Sequence, residues 1–317
     1  MLRYTFRRLL MALPIALAVS LVCFALVYLA PGDPLSAVLP PDASQSLIED
    51  LKKQYGFDDP VPVQYAKWLG RAATGDLGQS IATGRPVNSE LARAVGNTVR
   101  LACAAGLIGF TLGGLLGIVA GYLNGSAWDR LVSAVSVAGV SVPHYWLGML
   151  LVIVFSVLLN WLPAMGAGAD GSGAWAWDAE HVKHLVLPAV TLSVIPMGIL
   201  ARTLRALVAE TLAKEFVQAL RAKGLTEPQV FRHVLKNAAP TALAVMGVQF
   251  GYLLGGSILV ETVFAWPGTG FLLNTAIFQR DVPLLQGTIL VLAMFFVALN
   301  LAVDVVQTAL DPRIRRG

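Results

Sequence analysis

Charge is scarce in this chain of 317 residues. Asp, Glu, Lys and Arg make up 13% of it, while apolar residues make up 56%. Soluble domains carry about 25% charged residues, so the balance excludes an ordinary water-soluble enzyme and places the chain among membrane proteins. Cysteine is nearly missing: Cys23 and Cys103 both lie inside apolar segments, which excludes a disulfide framework. Four scattered histidines offer no metal-ligand spacing, so no metal site is expected. His144, beside Pro143, stands alone in an apolar run and is read as a polar packing residue. No Gly-x4-Gly-Lys-Ser/Thr phosphate loop occurs, so the chain is not expected to hydrolyse ATP or to bind a cofactor itself. Mid-membrane acids are missing too. Glu261 and Asp304 stand at the ends of apolar segments, where they anchor helix ends or pair locally. A carrier driven by protons or sodium keeps ionisable groups nearer the centre, and no inverted repeat is evident. No catalytic residue is identified.

What is present is a series of long charge-free runs. The first, Leu9 to Gly32, follows Arg3, Arg7 and Arg8. It is longer than a signal-peptide core of about 7–15 residues and lacks a good cleavage site, so it is expected to remain as a first membrane helix. Five more follow: Leu101–Trp128, Leu131–Ala169, Leu185–Ala201, Asn237–Val260 and Val282–Val303. A crossing needs about 20 apolar residues, which each supplies, the fourth by extending to Leu207. In the third, Pro143 leaves too few residues before it for a second crossing. Residues 131–142 are expected to lead as helix into one span.

The expected all-α layout is a cytoplasmic segment 1–8, a first span at 9–30, an extracytoplasmic loop at 31–96 and a core at 97–317. Within the core the spans fall at about 99–123, 137–162, 185–207, 241–263 and 284–307, with a cytoplasmic loop at 208–240. Inner segments then hold Arg3, Arg7, Arg8, Arg130, the cluster from Arg202 to Lys236, and Arg313, Arg315 and Arg316. The short outer loops hold Lys183 and Arg280. A seventh crossing would put the basic 202–236 segment outside, against the positive-inside rule. The net charge of +4 thus reports topology rather than nucleic-acid binding.

Glycine is patterned. Gly109, Gly113, Gly117 and Gly121 recur every four residues in the second span, and Gly247, Gly251 and Gly255 do so in the fifth. Such stripes let helix backbones approach closely, within the bundle or against another subunit. The 31–96 loop has helical patterning at Ser44–Tyr55 and around Trp68 and Leu69, punctuated by proline and glycine.

The most informative stretch is polar: EFVQALRAKGLTEPQVFRHVLKNAAP, Glu215–Pro240. Phe216, Ala219 and Leu220 give a short helix its apolar spacing. Gly224 sits where a left-handed residue ends it. Thr226 and Gln229 form a capping box for the next helix, with Pro228 in its first turn. This string resembles the cytoplasmic coupling loop of ABC importer permeases, and is most similar to the dipeptide/oligopeptide/nickel class, through Leu220–Leu225. Aligned on Gly224, the family's Glu-Ala-Ala falls on Gln218, Ala219 and Leu220. Its later Ile-x-Leu-Pro falls on Val234, Leu235, Lys236 and Asn237, with the proline displaced to Pro240. Further strings resemble the same class along the chain: Ala30–Pro34, Gly75–Ser80, Glu261–Leu272, Arg280-Asp281-x-Pro283, Gln286-Gly287, Val303-Asp304 and Asp311–Arg313.

The resemblance implies a six-helix type I importer permease in a bacterial inner membrane, with both termini cytoplasmic. Its implied partners are a homologous second permease, two ATP-binding subunits carrying ATP and Mg, an extracytoplasmic substrate-binding protein and membrane lipid. Glu215, Gln218, Ala219, Arg221, Ala222, Lys223, Gly224 and Leu225 would form the ATPase-coupling element. The 31–96 loop, Gly166–His184 and Trp266–Pro283 would receive the binding protein. The implied cargo is a dipeptide or oligopeptide, with glutathione, a nickel chelate or an oligosaccharide as alternatives. No residue selects among them. An ATP-independent carrier or a membrane scaffold are the readings from other classes.

Overall fold

The computed structural model describes residues 14–22, 24–25, 49, 58–168, 175–255 and 257–310. Every regular element among them is a helix. Helix α1 covers residues 14–22. It is followed by α2 (Val61–Ala73), α3 (Val87–Tyr122), α4 (Ala127–Ser141) and α5 (His144–Leu151), which continues as a π-helical stretch, Val152–Leu158. Then come α6 (Ala179–Leu212), α7 (Glu215–Ala222), α8 (Glu227–Gly255), α9 (Ile258–Val263), α10 (Thr269–Phe278) and α11 (Val282–Leu310). Most of the helical pattern expected at 44–55 lies outside the described residues, as do Cys23 and the ends of the expected 9–30 span. Among the described residues α3, α6 and α8 are each long and apolar enough to cross a membrane; α4 and the α5 segment pass together only as a pair bent by 99°.

The helix ends do not coincide with the ends of the apolar runs. Helix α3 starts at Val87, inside the stretch expected to be loop, because its first turns are amphipathic. Val87, Leu91 and Ala94 are buried while Asn88, Ser89 and Arg93 are exposed. Its 36 residues span roughly 54 Å at the usual rise, well beyond a hydrocarbon core of about 30 Å. The break between α4 and α5 is Pro143, which drives Val142 into extended backbone (φ −81°, ψ 127°), as the residue before a proline prefers. Helix α5 and its π extension end at Leu158, short of 162, and Asn160 beyond them is left-handed (φ 52°). Helix α8 runs through Pro240 without stopping, so the polar 227–240 stretch and the apolar one after it form one rod. That proline removes a single hydrogen bond from the ladder. The apolar segment expected at 241–263 is divided, α8 ending at Gly255 and α9 starting at Ile258.

The chain forms two units, one of residues up to Thr98 with Pro267–Ala298, the other of Val99–Trp266 with the residues from Leu299 onward. In the first unit, Phe24 packs edge-on against Tyr65 at 5.3 Å and beside Trp68 at 6.1 Å. The hydroxyls of Ser20 and Tyr65 meet at 2.9 Å. Two strings quoted above are tied together here. Asp281, fully buried, accepts from the Ser80 hydroxyl, from the Ala82 N–H at 3.1 Å and from the Leu284 N–H at 3.1 Å. The Gly75–Ser80 turn is thus fastened to the start of α11. Replacing Asp281 with alanine orphans these donors, at about 1–3 kcal/mol for each that stays buried. The expected result is faster amide exchange across residues 77–84 and unchanged exchange in α6; unchanged exchange in both would show the knot to be dispensable.

In the second unit α3 lies against α6 with glycine on one side and backbone on the other. A Cβ at Gly109, Gly113, Gly117 or Gly121 would come within 2.9, 2.5, 2.5 or 2.7 Å of the carbonyl oxygens of Ser193, Met197, Ala201 and Arg205 respectively. Both series climb by four residues in the same chain direction, so the two helices are parallel.

Candidate coupling loop

Helix α7 is short, and one side of it is anchored. Val217 is completely buried in a cluster with Leu200, Leu204, Val208, Val230 and Val234, against which Leu220 and Leu225 also pack. The spacing groups Phe216, Ala219 and Leu220 as the apolar face. The structure turns the helix so that Val217 and Leu220 face inward, while Phe216 and Ala219 are exposed. In an eight-residue helix neighbouring apolar positions compete for the core, and the one nearest Val208 and Val230 takes it. Glu215, Gln218, Arg221, Ala222 and Lys223 are exposed as well.

The corner after α7 follows from local chemistry. Gly224 is left-handed (φ 83°). The Gly224 N–H donates to the Arg221 carbonyl at 2.9 Å and the Leu225 N–H to the Leu220 carbonyl at 3.2 Å. These are the paired bonds of a Schellman stop, and the flanking Leu220 and Leu225 both pack against the cluster around Val217. Helix α8 then begins with the Gln229 Oε1 accepting from the Thr226 N–H at 2.9 Å, half of a capping box.

An ion pair braces the corner from outside. Arg221 Nε and Nη2 donate to the two Glu227 oxygens at 2.8 and 3.1 Å. Those bonds hold the Glu227 carboxyl below the usual glutamate range, with a further hydrogen bond from Tyr122. The pair's contribution is present above the ordinary glutamate pKa and fades as pH falls through the lowered one. Both side chains are solvent-exposed, so the brace is modest and salt-sensitive. The Tyr122 ring meets Phe231 edge-on at 5.4 Å. Arg221 is therefore engaged within the chain, whereas Phe216, Gln218, Ala219, Ala222 and Lys223 are open to the surface.

Of the second glycine series on α8, Gly251 is buried, Gly247 half-buried and Gly255 exposed; a Cβ at Gly255 would meet nothing within 4 Å. Glu261 is fully buried and takes the Ser257 hydroxyl at 2.9 Å.

Two family models match the chain. Residues 113–316 match the binding-protein-dependent transport system inner membrane component, and residues 1–102 its N-terminal counterpart. The dipeptide transport system permease protein DppB of Alkalihalophilus pseudofirmus is 37% identical over 99% of this chain and 100% of its own length. The glutathione transport system permease protein GsiC of Escherichia coli K12 is 38% identical over 99% of each. Among solved structures, a chain of the inward-facing MetNI methionine ABC transporter is similar with a TM-score of 0.57 at 20% identity, covering 70% of this chain and 96% of that one. At that identity the likeness concerns the fold.

Proposed function

Because the chain belongs to the family of inner-membrane components of binding-protein-dependent transport systems, we propose that Glu215–Leu225 is the element through which separate ATPase subunits drive it. The chain is the transmembrane permease subunit of an ATP-binding-cassette importer. The observation that carries the coupling proposal is the two-sidedness of α7: Val217 and Leu220 hold it to the core, and Phe216, Gln218, Ala219, Ala222 and Lys223 face outward. A helix free on both sides would absorb a push, whereas this one passes it on.

In this reading the permease has six spans and cytoplasmic termini, with 31–96 outside and 208–240 inside; the placement of Lys and Arg supports that orientation. A homologous permease, two ATPases carrying ATP and Mg, and an extracytoplasmic binding protein complete the machine. Closure of the ATPases pushes α7 and reorients both bundles as rigid bodies. The cargo is a small peptide, which the names of DppB and its relatives support. Glutathione is the first alternative, supported by GsiC, followed by a nickel chelate or an oligosaccharide.

The test is purification of the tagged chain in mild detergent with mass spectrometry of what accompanies it. Recovery of a second permease and one or two ATPases is the expected result. A chain that emerged alone and still transported solute would be an ATP-independent carrier, and the coupling reading would fall.

A further inference from the structure

The turn between α3 and α4 grips α6 by charge. Gly125, left-handed at φ 83°, aims its N–H at Asp129 Oδ2 at 2.8 Å. Ser126 caps α4 by accepting the Asp129 N–H at 3.2 Å. Arg205 reaches across from α6 and donates Nε to Asp129 Oδ1 and Nη2 to Oδ2, both at 2.8 Å. Its Nη2 also donates to Asn124 Oδ1 at 2.9 Å. The Asp129 side chain is only 4% exposed. A forked bond to both carboxylate oxygens fixes orientation as well as distance. The Arg205 backbone is held too, since its carbonyl oxygen would lie 2.7 Å from a Cβ at Gly121. Main chain and side chain of one residue thus join α6 to the inner end of α3 and to the head of α4.

Arg205 lies ten residues before Glu215, where α7 begins. Helix α6 carries the latch as far as Leu212, and the two-residue turn Ala213–Lys214 joins it to the coupling element, with Lys214 paired to Glu210 at 3.0 Å. We infer that the Asp129–Arg205 pair is a positioning latch that makes α3, the head of α4 and α6 move as one lever when α7 is pushed. This rests on the coupling reading above. An arginine here also satisfies the positive-inside rule, but that duty needs only a cation, whereas the latch needs the fork, which lysine cannot form.

The experiment uses the complete complex of both permeases, ATPases and binding protein in liposomes, with uptake and ATP hydrolysis measured in the same vesicles. The variants are Arg205→Lys, which keeps the charge and loses the fork, and Asp129→Asn, which keeps the size and loses the second acceptor. Co-purification of the ATPases is read first. The expected result is an assembled complex that hydrolyses ATP under binding-protein stimulation but moves about tenfold less solute per ATP. Unchanged transport per ATP in both variants overturns the latch and leaves the coupling loop standing. Loss of assembly in both overturns it as well, because the pair is then a folding element rather than part of the lever. If the unmodified chain brings down no ATPase, it is the coupling reading that fails.

Discussion

Alanine at Gly113 is expected to destabilise the protein sharply, and alanine at the very next residue, Gly114, to leave it intact or firmer. A Cβ at Gly113 would lie 2.5 Å from the Met197 carbonyl oxygen and 3.0 Å from its Cα, both backbone atoms of α6. A side chain can swing aside, but a helix backbone can yield only by moving the whole helix. Inserting one carbon into a packed contact costs about 1–3 kcal/mol, and here the backbone contact puts the cost at the upper end. Opening that contact also disturbs Gly109, Gly117 and Gly121, because the two parallel helices meet at four successive positions. At Gly114 the new carbon would meet nothing within 4 Å, and replacing glycine by alanine inside a helix gains about 1 kcal/mol. The measurement is the thermal midpoint of the purified chain in detergent. Gly113→Ala should fall by roughly 5 °C or more, with Gly114→Ala at or above the unmodified chain. Equal midpoints would show that the α3–α6 contact is looser than the distances require.

These two positions also show what can be read in a sequence and what cannot. The four-residue spacing of Gly109, Gly113, Gly117 and Gly121 is visible in the chain. What faces it is a row of carbonyls at Ser193, Met197, Ala201 and Arg205, four residue types with no common property. Local rules serve better at the corner, where Gly224, Thr226 and Gln229 act within a few residues of one another: the left-handed glycine is where the spacing puts it, and half of the expected capping box is present. They fail for the face of α7, because eight residues are too few for periodicity to choose between Val217 and Phe216. They fail again for contacts distant along the chain. Asp129 and Arg205 are 76 residues apart and Ser80 and Asp281 are 201 apart. Each looks like an ordinary loop or helix-end residue until the fold brings its partner. The one sequence signal for Arg205 is its position, a second basic residue three places after Arg202 near the end of the span expected at 185–207. Composition and long apolar runs point to membrane-spanning helices, and among the described residues α3, α6 and α8 are long and apolar enough to be such helices, but amphipathic turns such as Val87–Ala94 extend helices beyond those runs.

Valine at Gly224 is expected to abolish most transport, and the structure isolates the reason. A Cβ there would meet nothing within 4 Å, so crowding is not the cause. The cause is the backbone angle, φ 83°, which costs an L-residue about 1–2 kcal/mol and a β-branched one more. Valine would leave that conformation and pull apart the bonds from the Gly224 and Leu225 N–H groups to Arg221 and Leu220. Helix α7 would then lose its fixed angle to α8, and with it the outward presentation of Phe216, Ala219 and Lys223. A graded series tests this better than a single variant. Asparagine tolerates the left-handed region, so Gly224→Asn should stay near the unmodified uptake rate, Gly224→Ala should fall between, and Gly224→Val should lose roughly tenfold or more. ATPase recovery with the purified permease should follow the same order if the corner sets the docking angle. Should recovery stay constant while uptake falls, the corner acts in transmitting the stroke rather than in binding the motor. Normal uptake with valine at Gly224 would mean that the 215–240 element is not the coupling loop.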